Sequence, residues 1–276
     1  MKINRRDTLK FLGAGALTIG LTPLSASVYA MTKRKVFEPV SIGSLKLRNR
    51  IVRAATSMEM ADINGLPTPE LIRVYEDVAK GGAGLVTTGV AYMRKEDQVG
   101  AEALGFYDDT QIPAFKELAD AIKKHGAKAS LQIGFAGSMT ISRYKVGERE
   151  IWGPSAVEHP WTKVTPKAMT QDDIQAVIKS MAAGALRAKK AGFDAVELHF
   201  CHGWLFHQFI SPYFNKRSDA YGGSIENRTR LHFAVVEEIR KAVGPDFPVF
   251  AKVHIQDEGS QSLAEGVFFI DGLAKQ

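Results

Sequence analysis

The chain has 276 residues, 45% hydrophobic and 24% charged, a balance that fits a folded globular protein and excludes a disordered or fibrous one. A net charge of +6 would point to nucleic acid if it were spread over the folded body. It is not: within residues 1–35, Lys2, Arg5, Arg6, Lys10, Lys33, Arg34 and Lys35 against Asp7 give seven minus one, or +6, so the rest sums to zero and no nucleic-acid partner is expected.

From the N-terminus, "NRRDTLK" leads into the apolar stretch Phe11 to Leu24 and then small residues ending at Ala30. This is a signal-peptide pattern over residues 1–30, and the twin Arg5-Arg6 with a glycine-diluted core reads as a twin-arginine leader. The run is too short for a stable membrane span. A working leader implies the twin-arginine export machinery as a partner and a periplasmic or other extracytoplasmic location. A start at Met31 would leave a cytoplasmic form, and a frayed amphipathic N-terminus is the plain alternative. "GAGALTIG" mimics a dinucleotide fingerprint but follows no strand and has the wrong glycine spacing.

Residues 31–276 read as one domain, because β-branched runs alternate with helical patterns without a break in composition, as in parallel βαβ units. The predicted strands are Arg50 to Ala54, Leu85 to Val90, Lys128 to Ile133, Ala195 to His199 and Pro248 to Val253. The predicted helices lie at about Pro69 to Lys80, Ile112 to His125, Gln171 to Ala191 and Ile225 to Val243, with a last one in "SLAEGVFFIDGLAKQ". Thr170 in "TQDD" is an N-cap candidate, and Gly81, Gly126, Gly192 and Gly244 read as helix ends. These roughly five units fall short of the eight in a closed (β/α)8 barrel, and a doubly wound open sheet is the rival architecture.

The densest chemistry is "HFCHGWLFHQF", His199 to Phe209, with three histidines and Cys201, the only cysteine. One cysteine excludes disulfides within the chain and any cysteine-rich zinc motif. Spacing alone leaves open a transition-metal site made of His199, Cys201, His202 and His207, a catalytic site, or a crowded loop.

The strand ends carry "LKLRNRIVRAATSMEMAD" with "NGLPT", "LVTTGV", "LQIGFAG", "ELHFCHGWLFHQFISPYFNKRSDAYGGSIENRTR" and "VFAKVHI". Together they resemble the old yellow enzyme family of FMN-dependent NADH:flavin oxidoreductases, over residues 36 to about 265. The resemblance implies a (β/α)8 TIM barrel, here apparently truncated after about the fifth βα unit. It also implies FMN as cofactor, NAD(P)H as a possible electron donor, and hydride transfer from reduced FMN to an enone-like small molecule. By the same resemblance, His199 and His202 hydrogen-bond the acceptor's carbonyl oxygen and stabilise the charge that develops there. Ala55, Thr56 and Ser57 meet the flavin ring by backbone, Gly89 contacts it, and Gln132 pairs with its polar edge. Lys252 stands where a cation faces the anionic reduced ring. Cys201 becomes a small packed residue and His207 a helix residue pointing elsewhere; no metal is then expected. One departure matters: Trp204 occupies the place of a proton-donating Tyr, and an indole N–H is not a practical acid. The alternative is therefore a catalytically impaired, truncated flavoprotein remnant or partial module without bound FMN.

Overall fold

The computed structural model describes residues 34–140, 147–257 and 261–276, so the leader expected at residues 1–30 lies outside the described residues. Val36–Gln276 form one compact unit. No helix among the described residues is long and apolar enough to cross a membrane.

Five parallel strands carry the fold: β1 (Val52–Arg53), β2 (Leu85–Thr87), β3 (Lys128–Gly134), β4 (Ala195–Phe200) and β5 (Val249–Val253). Their order in the sheet is β5-β4-β3-β2-β1, each strand beside its successor in sequence. A doubly wound sheet reverses direction at a switch point. This one does not, which is the progression of a barrel wall. A short strand at Ala91–Tyr92 joins β3 at its C-terminal end.

The helices are α1 (Pro69–Lys80), α2 (Ile112–Lys123), α3 (Gln171–Lys190), α4 (Leu205–Ile210), α5 (Ile225–Val243) and α6 (Leu263–Ala274). Local chemistry fixes their starts. Thr68 caps α1 by accepting the Leu71 N–H at 3.2 Å, with Pro69 in the first turn, where its missing N–H costs nothing. Thr170 and Asp173 exchange side-chain-to-backbone bonds of 3.2 and 2.9 Å to start α3. Along α1 the buried residues are Leu71, Tyr75 and Ala79, spaced by four, so one stripe faces the sheet.

Alternation along each strand separates two environments. Val86, Leu131, Ile133, Val196, Leu198 and Phe200 point outward into the main core shared with the helices. Their neighbours point the other way, into the lumen. At the N-terminal end of the lumen, Leu85 and Phe250 pack with Leu45, Leu47 and Val40 of an antiparallel hairpin, Val40–Ile42 with Leu45–Leu47. The second strand is shorter than predicted because the Gly89 N–H leaves the sheet and donates to Tyr75 Oη at 2.6 Å.

The stretch from Ser211 to Arg230 is a lattice of side-chain-to-backbone bonds. Asn215 Nδ2 donates to the carbonyls of Phe209 and Tyr221 at 2.7 and 2.8 Å. Arg217 donates to those of Pro154 and Met169 at 2.9 and 2.6 Å. Arg228, 4% exposed, donates to the carbonyls of Gly223 and Ile210 and pairs with Glu265. A Cβ on Gly222 would fall 2.1 Å from the Arg217 carbonyl oxygen, so the turn requires glycine.

Candidate active site

His199 is the next-to-last residue of β4, on the lumenal side with Glu197, two positions earlier. Beyond Phe200 the chain must turn sharply to start α4, and His202 and Gly203 do so with φ of 59° and 73°. A left-handed histidine is uncommon and is held only where its surroundings fix it. The turn brings the His202 ring 5.1 Å from that of His199 and leaves it exposed. His199 is 5% exposed, and its Nε2 is buried without a hydrogen-bond partner. Burial, then the charges of His202, Lys252 and His254, push the His199 imidazole down to about 3. His202 is lowered by burial and by Lys252 and His254. At neutral pH His199 is therefore a neutral imidazole, able to donate one N–H, and the shift of His202 favours the same state.

The register sets the rest beside them. Lys252 lies opposite His199, and Gln132 lies opposite Glu197 and donates to its Oε1 at 2.6 Å. Burial raises the Glu197 carboxyl, against the opposing effects of the Gln132 hydrogen bond and the Lys252 charge. Gln132 is 3% exposed, while Lys252 is half-buried. After β1, Ala55, Thr56 and Ser57 run past Gly89, where an added Cβ would come 2.9 Å from the Thr56 oxygen. A Cβ on Gly134 would sit 2.9 Å from that of His199. Glycine at both places lets the strand ends close up.

Trp204 stands apart from this polar set. It is 6% exposed and packs with Val90, Tyr92, Val99, Ala103 and Ala136, its indole edge-on to His199 at 4.7 Å between ring centres. Cys201 is 1% exposed and burial pushes its thiol up to about 12, so it stays protonated.

Beside His202 opens a cavity of about 650 Å³, lined among others by His159, Trp161, His207, Tyr213, His254 and Asp257. This corrects the expectation for His207: α4 turns it toward the cavity, 4.7 Å from the ring of His254. Sequence reasoning missed His254, Asp257 and Glu197, although two were within reach. His254 follows Lys252 by two, just past the end of β5, and Glu197 precedes His199 by two, on the same side of β4. Trp161, 78% exposed at the cavity mouth, carried no pattern at all.

Among the described residues, two groups bring three ligating atoms within 4.8 Å of one another: His199, Cys201 and His202, and His207, His254 and Asp257. In the first, Cys201 Sγ and His199 Nδ1 already face each other at 3.9 Å. In the second, His207 Nδ1 accepts the Gly203 N–H at 2.9 Å, which puts the ring proton on Nε2, the nitrogen 3.3 Å from Asp257 Oδ2. A nitrogen that carries a proton has no lone pair for a metal.

The lumenal set fits a flavin. A cation, an amide, glycines that admit close backbone approach and a buried imidazole nitrogen without a partner stand at adjacent strand ends, the face where barrels place their ligands. Comparisons with known proteins agree. The NADH:flavin oxidoreductase / NADH oxidase family model matches residues 35–267. An NADPH dehydrogenase of Halalkalibacterium halodurans is 36% identical over 88% of this chain and 71% of its own length. A 2-naphthoyl-CoA reductase structure superposes with a TM-score of 0.81 at 29% identity, over 86% of this chain but only 38% of its own. Old yellow enzyme from a Pichia species superposes with a TM-score of 0.79 at 27% identity, over 88% of this chain and 67% of its own. These neighbours make the fold an α/β TIM barrel, with FMN as the cofactor and NAD(P)H as the electron donor. The chain belongs to the NADH:flavin oxidoreductase / NADH oxidase family, the enzymes of old yellow enzyme type.

Proposed function

We propose that the protein uses FMN to pass a hydride from NAD(P)H to an α,β-unsaturated carbonyl or a related small acceptor. The observation that carries this reading is the His199–His202 pair: His199 keeps a buried, unpartnered Nε2, and His202, 5.1 Å from it ring to ring, lines the cavity that would admit the acceptor. When bound, FMN stores the two electrons between donor and acceptor. The chain's part is to hold and polarise. Ala55, Thr56, Ser57 and Gly89 would meet the ring by backbone, Gln132 its polar edge, and Lys252 the charge it carries when reduced. His199 and His202 would donate to the acceptor's carbonyl oxygen, where fixed dipoles in a water-poor site stabilise developing charge without reorganising.

Stopped-flow mixing tests this in two steps. NAD(P)H should bleach the flavin of the FMN-loaded protein, and a cyclic enone should restore the colour. His202→Ala should weaken the enone's binding and slow reoxidation. Enone rates that ignore both histidines would sink the reading.

The twin-arginine leader belongs to this proposal as its address. It implies an extracytoplasmic enzyme, whereas a start at Met31 would give a form that meets NAD(P)H in the cytoplasm. Residues 1–35 fused to a folded reporter should direct export, and replacing Arg5-Arg6 by Lys-Lys should stop it; continued export would remove the address.

A further inference from the structure

Reduction of an enone needs a proton on the carbon next to the carbonyl, and Trp204, edge-on to His199, does not supply it, because an indole N–H is no acid. Another group must face the same space. His254 is the first residue after β5, two beyond Lys252. It lines the cavity, its ring lies 5.5 Å from that of His202, and its Nδ1 is buried without a partner. The α-carbon is bonded to the carbonyl carbon, so a ring in contact with the oxygen's donor is in the right neighbourhood.

The groups around His254 are ordered behind it. His207 meets it edge-on at 4.7 Å. Gly203 N–H fixes the His207 tautomer, which leaves the ring proton on Nε2, 3.3 Å from Asp257 Oδ2 without a hydrogen bond between them. Among described groups, His202, His207 and Asp257 face it from the turn after β4, from α4 and from the segment after β5, with Lys252 two residues before it.

We propose that His254 is the acid that protonates the acceptor's α-carbon, and that His207 and Asp257 are positioning residues that hold its ring. This rests on the enone reading above. The balance is simple. FMN, when bound and reduced, would supply the hydride for the β-carbon; the C=C π pair would then end as the bond between the α-carbon and the proton given up by the His254 ring. The product is the saturated carbonyl, and the neutral imidazole regains a proton from solvent in the cavity.

The test uses FMN-loaded protein reduced by NAD(P)H, then reoxidised by a cyclic enone or by ferricyanide, which takes electrons singly and needs no proton on carbon. His254→Gln should lower the enone-to-ferricyanide rate ratio about 10²-fold or more, the contribution of a positioned acid, with the enone's dissociation constant changed little. Adding Trp204→Tyr to His254→Gln should restore the ratio at least about tenfold, which a variant that is merely misfolded could not show. In protein without flavin, ¹⁵N NMR should find His207 with its proton on Nε2, and Asp257→Asn should reduce that population while Asp257→Glu keeps it. An unchanged ratio in His254→Gln, or a larger fall in Tyr213→Phe, the phenol that also lines the cavity, overturns the assignment. His207 protonated on Nδ1 overturns the positioning role. Flavin that NAD(P)H reduces but no enone reoxidises in the unaltered protein overturns the enone reading, and the inference with it.

Discussion

The two ends of the lumen are built on opposite rules, although the same strands make both. At the N-terminal end Leu45, Leu47, Leu85, Val40 and Phe250 fill space with carbon and leave nothing to satisfy. At the C-terminal end Gln132, Glu197, His199 and Lys252 crowd together, and His199 keeps a buried nitrogen without a partner. Each such group costs about 1–3 kcal/mol of desolvation that the fold must offset elsewhere. Phe250 and Lys252 are separated by one residue of β5 yet belong to different ends. Stability and chemistry are thus sorted along a strand, within two residues.

That division can be broken first from below. Leu47→Ala should lower stability by about 2–5 kcal/mol in urea unfolding, with enone reoxidation of the remaining folded protein unchanged. A matching loss of rate would show that the two ends are not independent. From above, His199→Ala should slow enone reoxidation about 10²- to 10³-fold while leaving neutral-pH stability close to that of the parent.

Acid sharpens the contrast. Burial first of all holds His199 and His232, a fully buried residue of α5 whose Nε2 lies 3.0 Å from the Phe206 carbonyl oxygen, at about 3 and His207 at about 4 in the folded protein, against the ordinary 6.5. Between those values the unfolded chain binds protons that the folded one refuses, so stability increases with pH and drains away as pH falls below 6.5. Each ring contributes about 1.4 kcal/mol per pH unit. The urea midpoint should therefore fall steadily from pH 6.5 to 4.5, and His199→Ala should flatten the slope by one proton. A midpoint indifferent to pH in that window would mean that these rings titrate as if exposed. The smallest effect belongs to Trp204→Tyr with His254 intact: a gain in enone reoxidation below about tenfold, well under what a newly supplied acid brings.

Much of the wall was legible beforehand, but not the hairpin of Val40–Ile42 and Leu45–Leu47 that closes the lower end. The helices Pro69–Lys80 and Ile225–Val243 match their predicted limits, because Thr68-Pro69 starts the first and Gly244 stops the second. The strands were readable from β-branched runs, though β1 keeps only Val52–Arg53 of the predicted Arg50 to Ala54, and the end of β2 depends on Tyr75, fourteen residues away and on another element. The placement of His199 and His202 at the end of β4 followed from the motif. His207 did not: α4 has six residues, all buried, so no polar face reveals which way any of them points. Asp257 lies after β5 in a segment that bridges to Gln261, with no period to read.

The lattice of Asn215, Arg217 and Arg228 has a consequence for inheritance. These residues sit in the stretch by which the lineage is most easily recognised, yet every hydrogen bond given for them above ties backbone or a neighbouring carboxylate, and none reaches the cavity or the histidine pair. A descendant that lost its acid, its acceptor or its cofactor would feel no pressure from that loss to alter them, because without them the turn between α4 and α5 would not close. The family's most legible signature is therefore a record of descent in shape, and it would persist unchanged in a lineage whose chemistry had moved on.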